Sequence, residues 1–176
     1  MNTINFKEEQ GFKVWWAWAG VAALNVLFIY AIVQQVFLGK PFGDKPAPDL
    51  VLILFGVAFL LLLFFLTRIK LRTRITDEAI FYKYSPFHFK ERQIEWHELQ
   101  DAYMREYNSL HEYGGWGIRY GSKRTGRALN TTASSRIGLQ LRFHDGSLLL
   151  IGTARPEELR AIIDQVINSG KINRGI

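Results

Sequence analysis

Leu50-Val-Leu-Ile-Leu-Phe-Gly-Val-Ala-Phe-Leu-Leu-Leu-Leu-Phe-Phe-Leu-Thr-Arg-Ile-Lys-Leu-Arg-Thr-Arg74 is the stretch whose reading decides the fold. Its first seventeen residues, Leu50 to Leu66, carry no charge. The residues that follow hold Arg68, Lys70, Arg72 and Arg74 and no acid. Leu60 to Leu66 is apolar on every face, which hydrocarbon allows and a water-exposed helix surface does not. A spanning helix needs about 20 apolar residues, with a range of about 17–25, so this run reads as a membrane span. Cations just beyond a span are retained on the cytoplasmic side. Arg68, Lys70, Arg72 and Arg74 are therefore expected to anchor the topology. They are also candidate contacts for anionic lipid, each contributing about 1 kcal/mol beside an anionic leaflet.

Working outward, Val14 to Leu38 is a second uncharged stretch, twenty-five residues long. The link between the two runs, Gly39 to Asp49, is rich in glycine and proline, and its charges cancel. Two spans joined this way predict a helical hairpin over residues 1–69, with spans at about 14–38 and 50–66 and both termini cytoplasmic. Trp15, Trp16 and Trp18 open the first span, where amphipathic rings settle at headgroup depth as an interfacial belt. Asn25 is a strongly polar side chain deep in that span, and Ala19 and Ala23 form a small-xxx-small pair beside it. These three residues predict packing within the hairpin or between copies in a homo-oligomer.

The charge follows the same division. The 22 Lys/Arg and 16 Asp/Glu leave +6 overall. Before Leu50 the four lysines (Lys7, Lys13, Lys40, Lys45) are offset by Glu8, Glu9, Asp44 and Asp49, so the excess lies from Arg68 onward. With no cysteine, disulfides, thiolate metal sites and thiol catalysis are excluded.

After Arg74 the hydrophobic period switches to two. Short runs recur between turn signals: Leu71–Thr76 and Ala79–Tyr84 around Asp77-Glu78, then His88–Ile94, Asp101–Tyr107, Trp116–Tyr120 and Ala128–Thr131. Ile137–Phe143 and Ser147–Ile151 flank His144-Asp145-Gly146, a strong hairpin signal. Seven or eight antiparallel strands over 70–168 are expected to form a sandwich or partly open barrel. Thr153-Ala-Arg-Pro-Glu-Glu158 reads as a helix start, and Leu159, Ile162, Ile163 and Val166 supply one apolar stripe. Gly170 ends that helix and leaves a tail over 169–176.

Strands followed by one amphipathic C-terminal helix resemble a pleckstrin-homology (PH-like) domain. Three segments sharpen the resemblance: Tyr113-Gly-Gly-Trp-Gly-Ile-Arg119, Gly138-Leu-Gln-Leu and Ile151-Gly-Thr-Ala-Arg-Pro-Glu-Glu-Leu159. They look like the bacterial membrane-anchored PH-like proteins, over roughly Thr73 to Val166. The resemblance implies a binding or scaffolding module in the cytoplasmic membrane and no cofactor. One departure stands out. Phosphoinositide-binding PH domains place cations around the first hairpin, whereas this turn is Asp77-Glu78, which repels an anionic headgroup.

Several candidate sites remain. Trp116 and Arg119, in the glycine-rich segment, read either as a partner-binding rim or as a tight turn with the indole in the core. Lys123, Arg124 and Arg127 predict a hairpin tip or a second membrane contact. Nucleic acid is excluded as a partner, because beyond Arg74 the excess charge is only +2. His88, His97, His111 and His144 lack metal spacing. Glu91, Glu95, Glu98 and His97 read as a solvated strand end around an inward Trp96, and Ser134-Ser135 lacks a nucleophile elbow. The chain is expected not to be an enzyme. Its partners are expected to be membrane lipids and an unidentified protein.

Overall fold

The computed structural model describes residues 5–131 and 136–172. Ser134-Ser135 and the end of the expected tail, 173–176, lie outside the described residues. The chain forms two compact units: Val14–Arg68, and a unit made of Met1–Lys13 together with Ile69–Ile176.

The first unit is a helical hairpin. α1 runs Trp15–Ile32 and continues as a π-helical turn over Val33–Phe37, and α2 runs Asp49–Arg68. Trp15–Phe37 and Asp49–Arg68 are both long and apolar enough to cross a membrane, with mean hydropathies of 1.9 and 3.1. The more shielded residues of α1 include Trp18, Val21, Asn25, Phe28 and Ile32, and those of α2 are Leu52, Gly56, Phe59, Leu63 and Leu66. Both sets alternate three and four residues apart, the seam spacing of two helices packed at a shallow angle. Gly56 lets the helices close, since a Cβ there meets Ile32 Cδ1 at 2.7 Å. Phe28 stacks on Phe55 and Phe59, at 6.0 and 5.1 Å between centroids. Asn25 Nδ2 donates to Phe59 O across the seam (3.2 Å) and to Val21 O (2.8 Å). The expected partners of Asn25 sit elsewhere: Ala19 and Ala23 are exposed on the face of α1 opposite the seam. Their spacing marked a stripe, but Asn25 faces away from it.

Gln35 organises the link. Its amide nitrogen donates to Ala47 O (2.7 Å) and Asp49 Oδ1 (2.6 Å), and its carbonyl oxygen accepts from Phe42 N (3.2 Å).

The second unit holds two sheets. β1 (Asn5–Gly11), β2 (Lys70–Thr76), β3 (Ala79–Ser85) and β4 (Arg92–Glu95) form an antiparallel meander. β5 (Leu99–Glu106), β6 (Gly117–Tyr120), β7 (Arg127–Asn130), β8 (Ile137–Phe143) and β9 (Leu148–Gly152) form the other, in the order β5-β8-β9-β7-β6. Only the β7–β9 pair is parallel among the described residues, which the expectation of an all-antiparallel domain missed. α3 (Ser109–Tyr113) bridges β5 and β6, and α4 (Pro156–Asn168) closes the domain. The sheets share one core. Phe6, Leu71, Ile75, Ile80 and Tyr84 meet Leu129, Leu139, Leu141 and Ile151, and α4 adds Leu159, Ile163 and Val166. Tyr107 and Tyr113 build a second small core with Ala128 and Leu150.

The boundaries move at both ends. Residues 5–11 were expected to belong with the hairpin, yet they form β1, paired with β2 from Asn5↔Thr76 to Gly11↔Lys70. Phe12 N still donates to Ile69 O at 3.3 Å. The hairpin is thus inserted between two adjacent strands of one sheet. The inward side chains of β1 are Phe6, Glu8 and Gln10, and two of the three are polar, which hid the strand signal. Their polarity is satisfied by the other sheet and its exit. Glu8 accepts from Thr153 Oγ1 and Ala154 N, both 2.8 Å, and Gln10 Nε2 donates to Gly152 O at 2.7 Å. Within the expected helix start, Arg155 is the N-cap residue, and Thr153 Oγ1 donates to Glu8. At the other end, the tail expected from 169 onward is anchored as far as Ile172. Ile172 is buried, and Lys171 Nζ bonds Asp77 Oδ1 at 2.6 Å.

Candidate functional site

The segment Tyr113-Gly-Gly-Trp-Gly is built by its glycines. Gly114 caps α3 in the left-handed region (φ 69°), and Gly115 and Gly117 follow at φ 133° and 113°. Asn130 fixes the far end. Its Oδ1 accepts from Gly117 N (2.9 Å), its Nδ2 donates to Ser109 Oγ (3.3 Å) and its carbonyl accepts from Tyr84 OH (3.2 Å). Trp116 is half-buried beside that turn. It forms a wall of a cavity of about 380 Å³ lined by Phe12, Ile69, Tyr84, Phe87, Trp116, Gly117, Ile118 and Arg119.

All of these residues belong to the β unit. Phe12 follows β1, Ile69 precedes β2, Tyr84 ends β3 and Phe87 lies in the loop after it. Arg119 folds back so that Nε donates to Trp116 O at 2.9 Å. Burial pushes the Tyr84 phenol up to about 12, against the pull of the Arg119 charge. At neutral pH the site therefore offers aromatic and aliphatic walls, a neutral phenol and one guanidinium.

The structure separates residues that the sequence grouped. Trp116 and Arg119 share the cavity. Lys123 and Arg124 sit on the exposed turn between β6 and β7, and Arg127 donates to Tyr82 OH across the sheets at 3.2 Å. The cations of the exit are dispersed too. Lys70 and Arg72 both bind Glu9 at 2.6 Å, which holds its carboxyl below the ordinary value. Arg74 pairs with Glu91 at 2.9 Å and stacks on Phe81 at 3.9 Å, while Arg68 lies over Phe64 at 4.6 Å. Three of the four cations expected to anchor the topology or meet anionic lipid are thus paired with carboxylates. β1 and the segment before β4 bring carboxylates that sequence distance concealed. Trp15 and Trp16 are exposed on α1 and Trp18 is half-buried.

Phe12, Ile69, Tyr84, Phe87 and Asn130 are among the site residues that sequence reasoning missed. Phe12 and Ile69 were absorbed into the membrane segment. Asn130 gave a local signal only as a strand-end amide.

The remaining polar clusters are structural. Arg105 binds Gln140 Oε1, Glu112 Oε2 and Tyr113 OH, each at 2.8 Å, clamping α3 to the second sheet. Glu95 and Glu98 form a capping box around the turn that buries Trp96. Among the described residues no cluster of three or more His, Asp or Glu could hold a metal. The chain matches no family model and no curated protein.

Proposed function

We propose that this chain is a non-catalytic, membrane-tethered module of PH-like architecture that holds a protein partner at the cytoplasmic face of the bilayer. The observation that carries the reading is the cavity of Phe12, Tyr84, Phe87, Trp116 and Arg119. Tryptophan, tyrosine and arginine around an apolar pocket are the composition of interaction hot spots. The cavity volume of about 380 Å³ suits one or two apolar side chains of a partner. The insertion of α1 and α2 between β1 and β2 supports the tether, because Gly11 and Lys70 are paired neighbours and so leave one end of one sheet. A spanning hairpin then returns to the side it left. Lys13, Arg68, Lys70, Arg72 and Arg74 mark that side as cytoplasmic. The exposed Ala19 and Ala23 are the surface at which the spans would meet a second copy.

Purification in mild detergent tests this reading. A partner should co-purify in fixed ratio with the natural chain and with Lys123→Ala/Arg124→Ala. It should be lost with Trp116→Ala/Arg119→Ala. Equal retention by both variants, or no component in fixed ratio, counts against it. A lipid-sensing role is the second reading, favoured because Phe12 and Ile69 each lie within three residues of a membrane helix in the chain. Lipid retained only by chains with an intact cavity would favour it.

A further inference from the structure

We propose that the loop Pro86–Glu91 inserts into the interfacial layer of the bilayer that holds the hairpin, with Phe87 and Phe89 as its apolar contacts. Phe89 is 91% exposed, more than any other large apolar side chain among the described residues, ahead of Tyr120 at 76% and Leu110 at 57%, and Phe87 is 55% exposed. The exposure is built in. His88 N donates to Tyr84 O at 2.7 Å, and Tyr84 N donates to His88 Nδ1 at 3.2 Å, so the imidazole turns inward between two rings that turn outward. Lys83 Nζ holds the loop by donating to Phe89 O at 2.9 Å.

Register says which end of the domain this is. Gly11 pairs with Lys70, and Lys70 with Ser85, so three strand ends lie in one row. Two of those ends lead directly into α1 and out of α2. Adjacent strands are about 4.8 Å apart, and a residue extends at most about 3.6 Å. Ser85 is therefore the register neighbour of Lys70, which follows the last residue of α2 by two positions in the chain. The headgroup layer is about 5–7 Å deep on each side of the hydrocarbon, which is within the loop's reach. The opposite end of the same sheet is the turn Asp77-Glu78, all polar. Apolar tips at the tethered end and acids at the far end are the distribution that an interface selects. Lys90 and Arg92, both exposed, follow the rings, and the acid between them, Glu91, is neutralised by Arg74 at 2.9 Å, which leaves the cations for an anionic surface. The occupant is thus a lipid surface; Phe89, which is outside the cavity lining, carries the inference independently of the partner proposed there.

The absence of cysteine makes the test direct. Phe89→Cys and, at the far end, Glu78→Cys are introduced singly into the full chain, labelled with an environment-sensitive fluorophore and reconstituted into vesicles of phosphatidylethanolamine and phosphatidylglycerol. Lipids carrying a nitroxide near the headgroup should quench residue 89 several-fold more than residue 78, with a blue shift at 89 only. Equal quenching at both positions would overturn the proposal. So would a residue 89 protected from a water-soluble thiol reagent yet unquenched by lipid, since that assigns the loop to a protein contact.

Discussion

Replacing the hairpin with a two-residue turn should leave the β unit folded, whereas removing β1 should unfold it. Phe12 N donates to Ile69 O at 3.3 Å. That bond places the two residues where the flanks of a two-residue turn belong, and Asn-Gly is the favoured sequence for such a turn. The comparison is between a chain carrying Asn-Gly in place of Lys13–Arg68 and a chain beginning at Ile69. The second chain loses the burial of Phe6, which is fully enclosed, at about 3–5 kcal/mol. It also loses the two bonds accepted by Glu8, each about 1.5–3 kcal/mol because the acceptor is charged. Together these amount to about 6–11 kcal/mol, against a typical total stability of about 5–15 kcal/mol. Far-ultraviolet circular dichroism with urea titration reads the difference. The turn-linked chain should unfold in one cooperative transition, and the chain from Ile69 should have little or no folded baseline. Equal midpoints for the two would refute the placement of β1 and, with it, the inserted hairpin.

Four further outcomes are expected. Glu8→Ala in the turn-linked chain should cost about 3–6 kcal/mol by urea titration, since Thr153 and Ala154 lose their acceptor, while Lys7→Ala on the outer face should cost under about 0.5 kcal/mol. Gly126→Ala should destabilise far more than Gly146→Ala: both sit at positive φ (71° and 80°), but a Cβ at 126 collides with Leu148 and one at 146 meets open space. Asn25→Leu should weaken the hairpin by about 0.6 kcal/mol in detergent unfolding assays, the usual worth of a hydrogen bond between spans. Burial, with Arg92 and Arg127 nearby, lowers the His88 pKa from its ordinary value. The folded state therefore favours the neutral ring, and its stabilising effect, full above the unfolded value of about 6.5, is lost as pH falls through the lower folded value. Urea midpoints of the turn-linked chain at pH 7.5 and 5.5 should differ less for His88→Gln than for the natural residue.

Much of the architecture was legible from periodicity because apolar residues carried it. The two uncharged runs announced α1 and α2, and Leu139, Leu141 and Phe143 announced β8. Elements held by polar side chains were not legible. Glu8 and Gln10 face inward only because Thr153, Ala154 and Gly152, about 140 residues away, receive them. The parallel β7–β9 pair escaped for a related reason, since strand order is a long-range choice that no local pattern encodes. The site was half visible. Gly114, Gly115 and Gly117 flagged an unusual backbone around Trp116, and Arg119 stood in the same motif. Phe12 and Ile69 could not be joined to them without the β1–β2 pairing. The cations after α2 were legible as a cluster in sequence. Their carboxylate partners Glu9 and Glu91 come from other segments, so the neutralisation was not.

Cross-linking across β1 and β2 in intact membranes tests the central arrangement most directly. Glu9 and Arg72 are register partners and both exposed, and alternation from the hydrogen-bonded Phe12–Ile69 pair makes theirs a non-hydrogen-bonded pair, with Cα atoms about 4.5 Å apart. That separation suits a disulfide. Glu9→Cys/Arg72→Cys should close rapidly under mild oxidation, while Glu9→Cys/Lys83→Cys, one strand further across, should stay open. No disulfide in the first variant, or equal closure in both, would contradict a hairpin inserted between two paired strands.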